Sequence, residues 1–236
     1  MVEEQPVASS SGRNSTRKRV IEARQVRAEG GGGSSLGTTA GESGSNSGSI
    51  SNARILATTS NSLDEALIVY SDGACKGNGK PGSVAGLGVY FGEGDERNLS
   101  ERCPGVQTNN RAELIAIIRS IELSPKSAKR LTVKTDSRYS IDCVTKYLPG
   151  WIRNNFILST GQPVKNREVI EYLAELIRMW ERRGPGARIE LVYVRGHSGE
   201  PGNEAADGLA NLGVLLPERP KDEEWARKKR WLQAMK

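Results

Sequence analysis

A chain of 236 residues has room for one sizeable domain or two small ones. Its formal charge of +6 suits a polyanionic partner, while a hydrophobic fraction of 36% is low enough that part of the chain is expected not to fold. Three scattered cysteines and a single histidine argue against a zinc cluster or a disulfide framework, and no apolar run is long enough to span a membrane.

Residues 1–64 form one compositional block. An uninterrupted run, Gly30 to Gly33, is followed by Ser, Thr, Asn and Gly as far as Asn61, a composition that cannot bury enough apolar surface to offset its ordering entropy and is expected to be disordered. Within it, Arg13 to Arg27 includes Arg17-Lys18-Arg19, which reads either as a solvated charged segment or as an import signal or nucleic-acid arm. Met1-Val2-Glu3-Glu4 lacks the basic and apolar stretches of a secretion signal, and Glu22 and Glu29 weigh against a mitochondrial presequence. The expected compartment is therefore the reducing interior: nucleus or cytoplasm first, the mitochondrion as a third alternative.

The folded region is expected over 65–216. Ala66–Asp72, Val84–Phe91 and Asn98–Cys103 read as strands separated by Gly-rich turns. Leu114, Ile117, Ile118 and Ile121 lie on one face of a helix, and Leu131–Thr135 is a further strand. A helix over Ser137–Tyr147 follows, then a longer amphipathic one marked by Val169, Leu173, Leu176, Ile177 and Trp180. Arg188–Val194 is the last strand and Asn203–Leu212 the last helix of the domain. Hairpins followed by alternating helices and strands predict an α/β fold, a mixed sheet with helices packed on it. Beyond Pro217 and Pro220, residues 217–236 form a charged tail whose helix, Asp222–Met235, carries Trp225 and Trp231 beside Arg227-Lys228-Lys229-Arg230. Those Trp residues either dock on the domain or contact nucleic acid.

Four acids stand at structurally awkward places. Asp72 closes the first strand, Asp136 ends the fourth, Glu113 flanks an apolar helix stripe, and Asp207 follows the loop that carries His197. Each has an ordinary reading taken singly: Asp72-Gly73 as a turn, Glu113 in a capping arrangement with Asn110, Asp136 as an N-cap, and Asp207 as an exposed helical acid. One metal site accounts for all four, because clustered carboxylates repel one another unless cations intervene. Hard oxygen ligands favour Mg²⁺, with Mn²⁺ as the alternative, and a pair of ions roughly 3.5–4 Å apart suits phosphodiester hydrolysis. His197, flanked by Gly196 and Gly199, sits where a mobile imidazole can shuttle a proton.

The ordered motifs Ser71-Asp72-Gly73, Thr108-Asn109-Asn110-Arg111-Ala112-Glu113, Thr135-Asp136-Ser137, and Gly196-His197-Ser198-Gly199 with Gly202-Asn203-Glu204-Ala205-Ala206-Asp207 resemble the ribonuclease H type 1 family over Ile68 to Leu212. The resemblance implies a five-stranded mixed sheet flanked by helices and Mg²⁺-dependent endonucleolytic cleavage of RNA in an RNA–DNA hybrid, leaving 5′-phosphate and 3′-hydroxyl ends. It makes Asp72, Glu113, Asp136 and Asp207 the metal ligands and His197 the loop histidine that assists proton transfer or product release. Asn78 and Asn109 match positions that read the groove or RNA 2′-hydroxyls, the group that separates RNA from DNA. Thr108 and Asn166 match a pocket for a DNA-strand phosphate, and Tyr139, Tyr147 and Trp151 an aromatic channel along the DNA sugars. A monomer is expected, with the hybrid as partner and with neither a membrane nor a small-molecule cofactor.

Three departures from the family pattern carry weight. Val106 stands where relatives often place an arginine, which predicts a weaker DNA-strand grip. The segment from Trp151 to Ser159 resembles the family's basic protrusion but is poorer in cations, and the N-terminal block has no aromatic-rich hybrid-binding module. Competing readings are a DNA nuclease or integrase-like relative with the same metal chemistry, and a hybrid-binding module without catalysis. A dinucleotide enzyme built on Gly86-Leu87-Gly88 misses the required glycine spacing, and a Cys75–His197 hydrolase lacks an orienting third group.

Overall fold

In the computed structural model, residues 66–218 and 224–235 are described, so the expectations for 1–64 lie outside the described residues. Strand β1 (Leu67–Lys76) does not stop at Asp72: Gly73 to Lys76 keep pairing with Leu87 to Val84 of β2 (Val84–Tyr90). Asp72 is therefore a mid-strand residue, and the turn comes only after Lys76. β3 (Leu99–Arg102) pairs antiparallel with β2, while β4 (Arg130–Thr135) and β5 (Arg188–Tyr193) add in parallel on the other side of β1. The sheet order is β3-β2-β1-β4-β5, a five-stranded mixed sheet as expected.

Helix α1 (Asn109–Leu123) is buried all round from Arg111 to Ile121, not along one stripe. One side lies on β1 and β2 and the other meets α4 (Arg167–Glu181). Ile115, Ile117 and Ile118 are each fully enclosed, and burying each such side chain contributes about 1.5–3 kcal/mol. This enclosure also explains its buried arginines. Arg119 is held by Glu101 and Glu122, and Arg111 donates to the Pro104 carbonyl and to Glu168.

The single helix expected over Ser137–Tyr147 is instead α2 (Arg138–Asp142), a π-helical turn (Cys143–Tyr147) and α3 (Leu148–Arg153) in continuous succession. The widened turn is compatible with Pro149 just beyond it, which has no N–H to give to a regular ladder. α5 (Pro201–Val214) crosses the face of β1, β2 and β3. A Cβ at Gly86 or Gly88 would collide with the α5 backbone, so these strand glycines serve helix–sheet packing and not a nucleotide loop.

α6 (Trp225–Ala234) docks on the domain through the first of its two tryptophans. Trp225 is buried against Tyr172 of α4 with ring centroids 5.6 Å apart, Leu232 is buried beside it, and Lys229 pairs with Glu171 at 2.9 Å. Trp231 is exposed. Among the described residues no helix is long and apolar enough to cross a membrane.

Candidate active site

The parallel pairing of β1 with β4 ends at Tyr70 opposite Lys134. Asp72 and Asp136 each lie two positions further along, on the same face as those partners, because side chains alternate along a strand. Glu113 arrives from the first turns of α1. Carboxylate oxygens of Asp72, Glu113 and Asp136 lie within 4.8 Å of one another, and the first two residues are buried. Asp207 of α5 falls outside that group of three but lines the same cleft, of about 480 Å³, and its charge acts on Asp72.

The electrostatics follow from burial. Asp72 is pushed up to about 8, first by loss of water and then by the charge of Asp136, against the opposing hydrogen bond from the Gly73 N–H at 2.7 Å. Burial likewise holds Glu113 well above its ordinary value, reinforced by Asp72 and Asp136. Asn109 Nδ2 donates to Glu113 Oε1 at 3.3 Å, but Oε2 is buried with no hydrogen-bond partner. An orphaned carboxylate oxygen among repelling neighbours, with oxygen donors throughout, fits a hard divalent cation.

His197 lines this cleft from the loop between β5 and α5, with its backbone in the left-handed region at φ 50°. Gly196 before it lies so close to Asp136 that a Cβ there would strike the carboxylate, which is how the loop reaches the acids. Arg138 and Asn211 line the cleft too, and neither was singled out from the sequence. Asn211 had a usable signal: it lies one helical turn beyond Asp207, to whose carbonyl its Nδ2 donates at 3.0 Å. Arg138 offers none, since its guanidinium stacks on Tyr193, 3.7 Å from the ring centroid and distant in sequence.

A second groove, of about 620 Å³, gathers Asn78, Thr108, Tyr139, Trp151 and Asn166. Tyr139 lines both this groove and the acidic cleft. Asn109 joins them differently: its backbone N–H donates to Asn78 Oδ1 at 3.2 Å while its side chain reaches Glu113. Tyr147 does not line the groove; it is exposed and packs on Trp151 with centroids 5.5 Å apart. Val106 is exposed and lines neither cleft, while Arg111 Nη1 reaches Asn166 Oδ1 at 3.4 Å from within the core. A larger cavity, about 1030 Å³ between α1, α4 and α6, is predominantly apolar, with Glu122 the one acid among its described lining residues.

A family model described as RNase H matches residues 64–214. Ribonuclease H of Schizosaccharomyces pombe is 46% identical over 148 residues, covering 62% of this chain and 52% of that protein. Ribonuclease H1 of Mus musculus is 39% identical over 157 residues, covering 66% of this chain and 53% of that protein. The chain thus spans about half the length of these curated relatives. Against Ribonuclease H of Thiobacillus denitrificans the identity is 41% over 151 residues, covering 64% of this chain and 95% of that protein. Among solved structures, a foamy viral protease-reverse transcriptase in complex with dsDNA shares the fold at a TM-score of 0.52 and 23% identity, covering 64% of this chain and 96% of that one.

Proposed function

The chain belongs to the RNase H family, and from that premise we propose that it is an endoribonuclease hydrolysing the RNA strand of RNA–DNA hybrids, with 65–216 as the catalytic unit. The observation that carries this reading is the gathering of Asp72, Glu113 and Asp136 within 4.8 Å around an orphaned Glu113 oxygen. Those three residues, with Asp207 at the rim, would hold two Mg²⁺ or Mn²⁺ ions. Bound there, the ions supply a lowered pKa for the attacking water and neutralisation of charge on the phosphate.

The chain's own residues do the rest. Asn78 and Asn109 present amide groups between the two clefts, where an RNA 2′-hydroxyl can both donate and accept. Trp151 and Tyr139 give the DNA strand an apolar wall, and Thr108 and Asn166 offer polar groups to one of its phosphates. In the reaction the water oxygen bonds to phosphorus as the bond from phosphorus to the 3′-oxygen breaks. The departing 3′-oxygen gains a proton and the water loses one, so the ends are a 3′-hydroxyl and a 5′-phosphate. His197, exposed on its loop at the cleft, carries a proton on an imidazole nitrogen between the cleft and bulk water.

The test follows a labelled RNA strand annealed to DNA, with Mg²⁺ and with EDTA, beside RNA–RNA, DNA–DNA and single-stranded RNA. Cleavage confined to the hybrid's RNA and abolished by EDTA is expected. Activity on duplex DNA, or none on the hybrid with either ion, would overturn the reading.

A further inference from the structure

The loop that presents His197 has little to hold it. From Val194 to Glu200 it contains no helix or strand, and Arg195, His197, Ser198 and Gly199 are exposed. Its internal tie is a hydrogen bond from Ser198 Oγ to the Arg195 carbonyl at 2.6 Å. The position of the imidazole therefore depends on how the two ends of the loop are fixed. At the start, the Val194 N–H donates to the Thr135 carbonyl at 3.0 Å, one residue before Asp136.

The other end is fixed by a cluster that lies outside the acidic cleft. Tyr70 and Lys134 face each other as the last parallel pair of β1 and β4. Tyr70 Oη donates to Glu200 Oε1 at 2.6 Å, and Lys134 Nζ donates to both Tyr70 Oη at 3.0 Å and Glu200 Oε1 at 3.1 Å. Glu200 is the residue that opens α5, its carbonyl accepting from the N–H groups of Asn203 and Glu204. Gly202, in the first turn, lies flat on the Tyr70 ring, where any Cβ would collide. Partly exposed ion pairs of this kind contribute little to global stability, so what the cluster supplies is geometry.

We propose that Tyr70, Lys134 and Glu200 form a latch that sets the His197 loop and the start of α5 relative to Asp72 and Asp136, making Glu200 a positioning residue for the reaction. The latch joins the two strands that carry those acids to the loop and helix that carry His197 and Asp207. Releasing Glu200 leaves the acids in place and unpins the imidazole. This inference rests on the function proposed above, and its test includes a readout that needs no turnover.

His197 is the protein's only histidine, so its imidazole gives an unambiguous NMR signal in the full chain. In Glu200→Ala that resonance shifts or broadens, and amide exchange over 195–199 rises about tenfold while the sheet strands stay protected. With the hybrid as substrate, kcat falls about ten- to a hundredfold with little change in KM, because orientation is lost and binding is not. Tyr70→Phe, which keeps the ring beneath Gly202, gives the same signature more weakly. Glu200→Gln, which retains an acceptor for both donors, restores most of it. An unmoved His197 resonance in both Glu200→Ala and Tyr70→Phe overturns the latch whatever the activity, and so does an unchanged kcat in Glu200→Ala beside an active wild type. A wild type that fails to cleave the hybrid strikes the proposed function instead, and the NMR comparison still decides the latch.

Discussion

Asp72 and Glu113 in the cleft and Glu175 on α4 are each about 5% exposed, Glu175 lying nearer the surface beneath half-exposed arginines, and they respond in opposite directions. Burial pushes all three upward. In the cleft it is reinforced by neighbouring carboxylates, and Asp72 reaches about 8. At Glu175 the burial is outweighed by Arg182 at 3.0 Å and Gln233 at 3.4 Å, with Arg178 adding its charge, and the carboxyl ends below its ordinary value. One region resolves its charges within the fold, and the other leaves carboxylates against carboxylates, an arrangement that a bound cation would relieve. A buried acid thus signals chemistry by what surrounds it, not by burial alone.

Mutations should divide along that line. The largest effect is expected from Asp136→Asn, which abolishes hybrid cleavage while the thermal transition stays where it was or rises; an active variant would remove Asp136 from the metal site. On the structural side, Trp225→Ala is expected to destabilise by about 3–5 kcal/mol in urea titrations, since it empties a fully packed site between α6 and α4. Trp231→Ala, its exposed counterpart, stays within about 0.5 kcal/mol. Glu175→Ala strands Arg182 and Gln233 and detaches part of α6, but its arginine partners are half in water, so about 1–2 kcal/mol is expected.

The pH dependence of stability sharpens the comparison most. Without metal, Asp72 is protonated in both folded and unfolded chains below about pH 4, so no penalty applies there. Between about pH 4 and about 8 the unfolded chain ionises it while the folded chain retains the proton, so stability falls as pH rises, and the loss is complete above about 8. Glu113 acts with the same sign. Denaturant titrations in EDTA should show this decline, and Mg²⁺ should flatten it by favouring the ionised carboxylates. Glu175 contributes in the opposite sense, losing stability as pH falls through its lowered value, with or without Mg²⁺.

Much of the fold was legible because periodicity is local. The alternation along β4 and the helical spacing of Val169, Leu173, Leu176 and Trp180 lead to a strand and a helix where the structure has them. The elements that differed did so through partners distant in the chain. β1 runs on past Asp72 because β2 continues to pair with it, and α1 is buried all round because α4 covers the side that the sheet leaves free. At the site, the four acids and His197 could be singled out as residues in awkward positions. Asn211 was within reach through its helical spacing from Asp207, whereas Arg138 and Glu200 look like ordinary surface charges until their partners far away in the chain are known.

What the sequence by itself determined is therefore the kind and order of the parts: five strands, the helices between them, oxygen ligands without a thiolate cluster, and one histidine in a glycine-flanked loop. Tertiary structure alone decided which parts meet. It placed three of the four acids within 4.8 Å with Asp207 at the rim, buried Trp225 and left Trp231 in water, and joined Tyr70 to Glu200 across the sheet. The physical reason is that propensity and periodicity act over a turn or a pleat, whereas contacts between side chains far apart in sequence are set by strand register and by how closely a helix can approach a sheet.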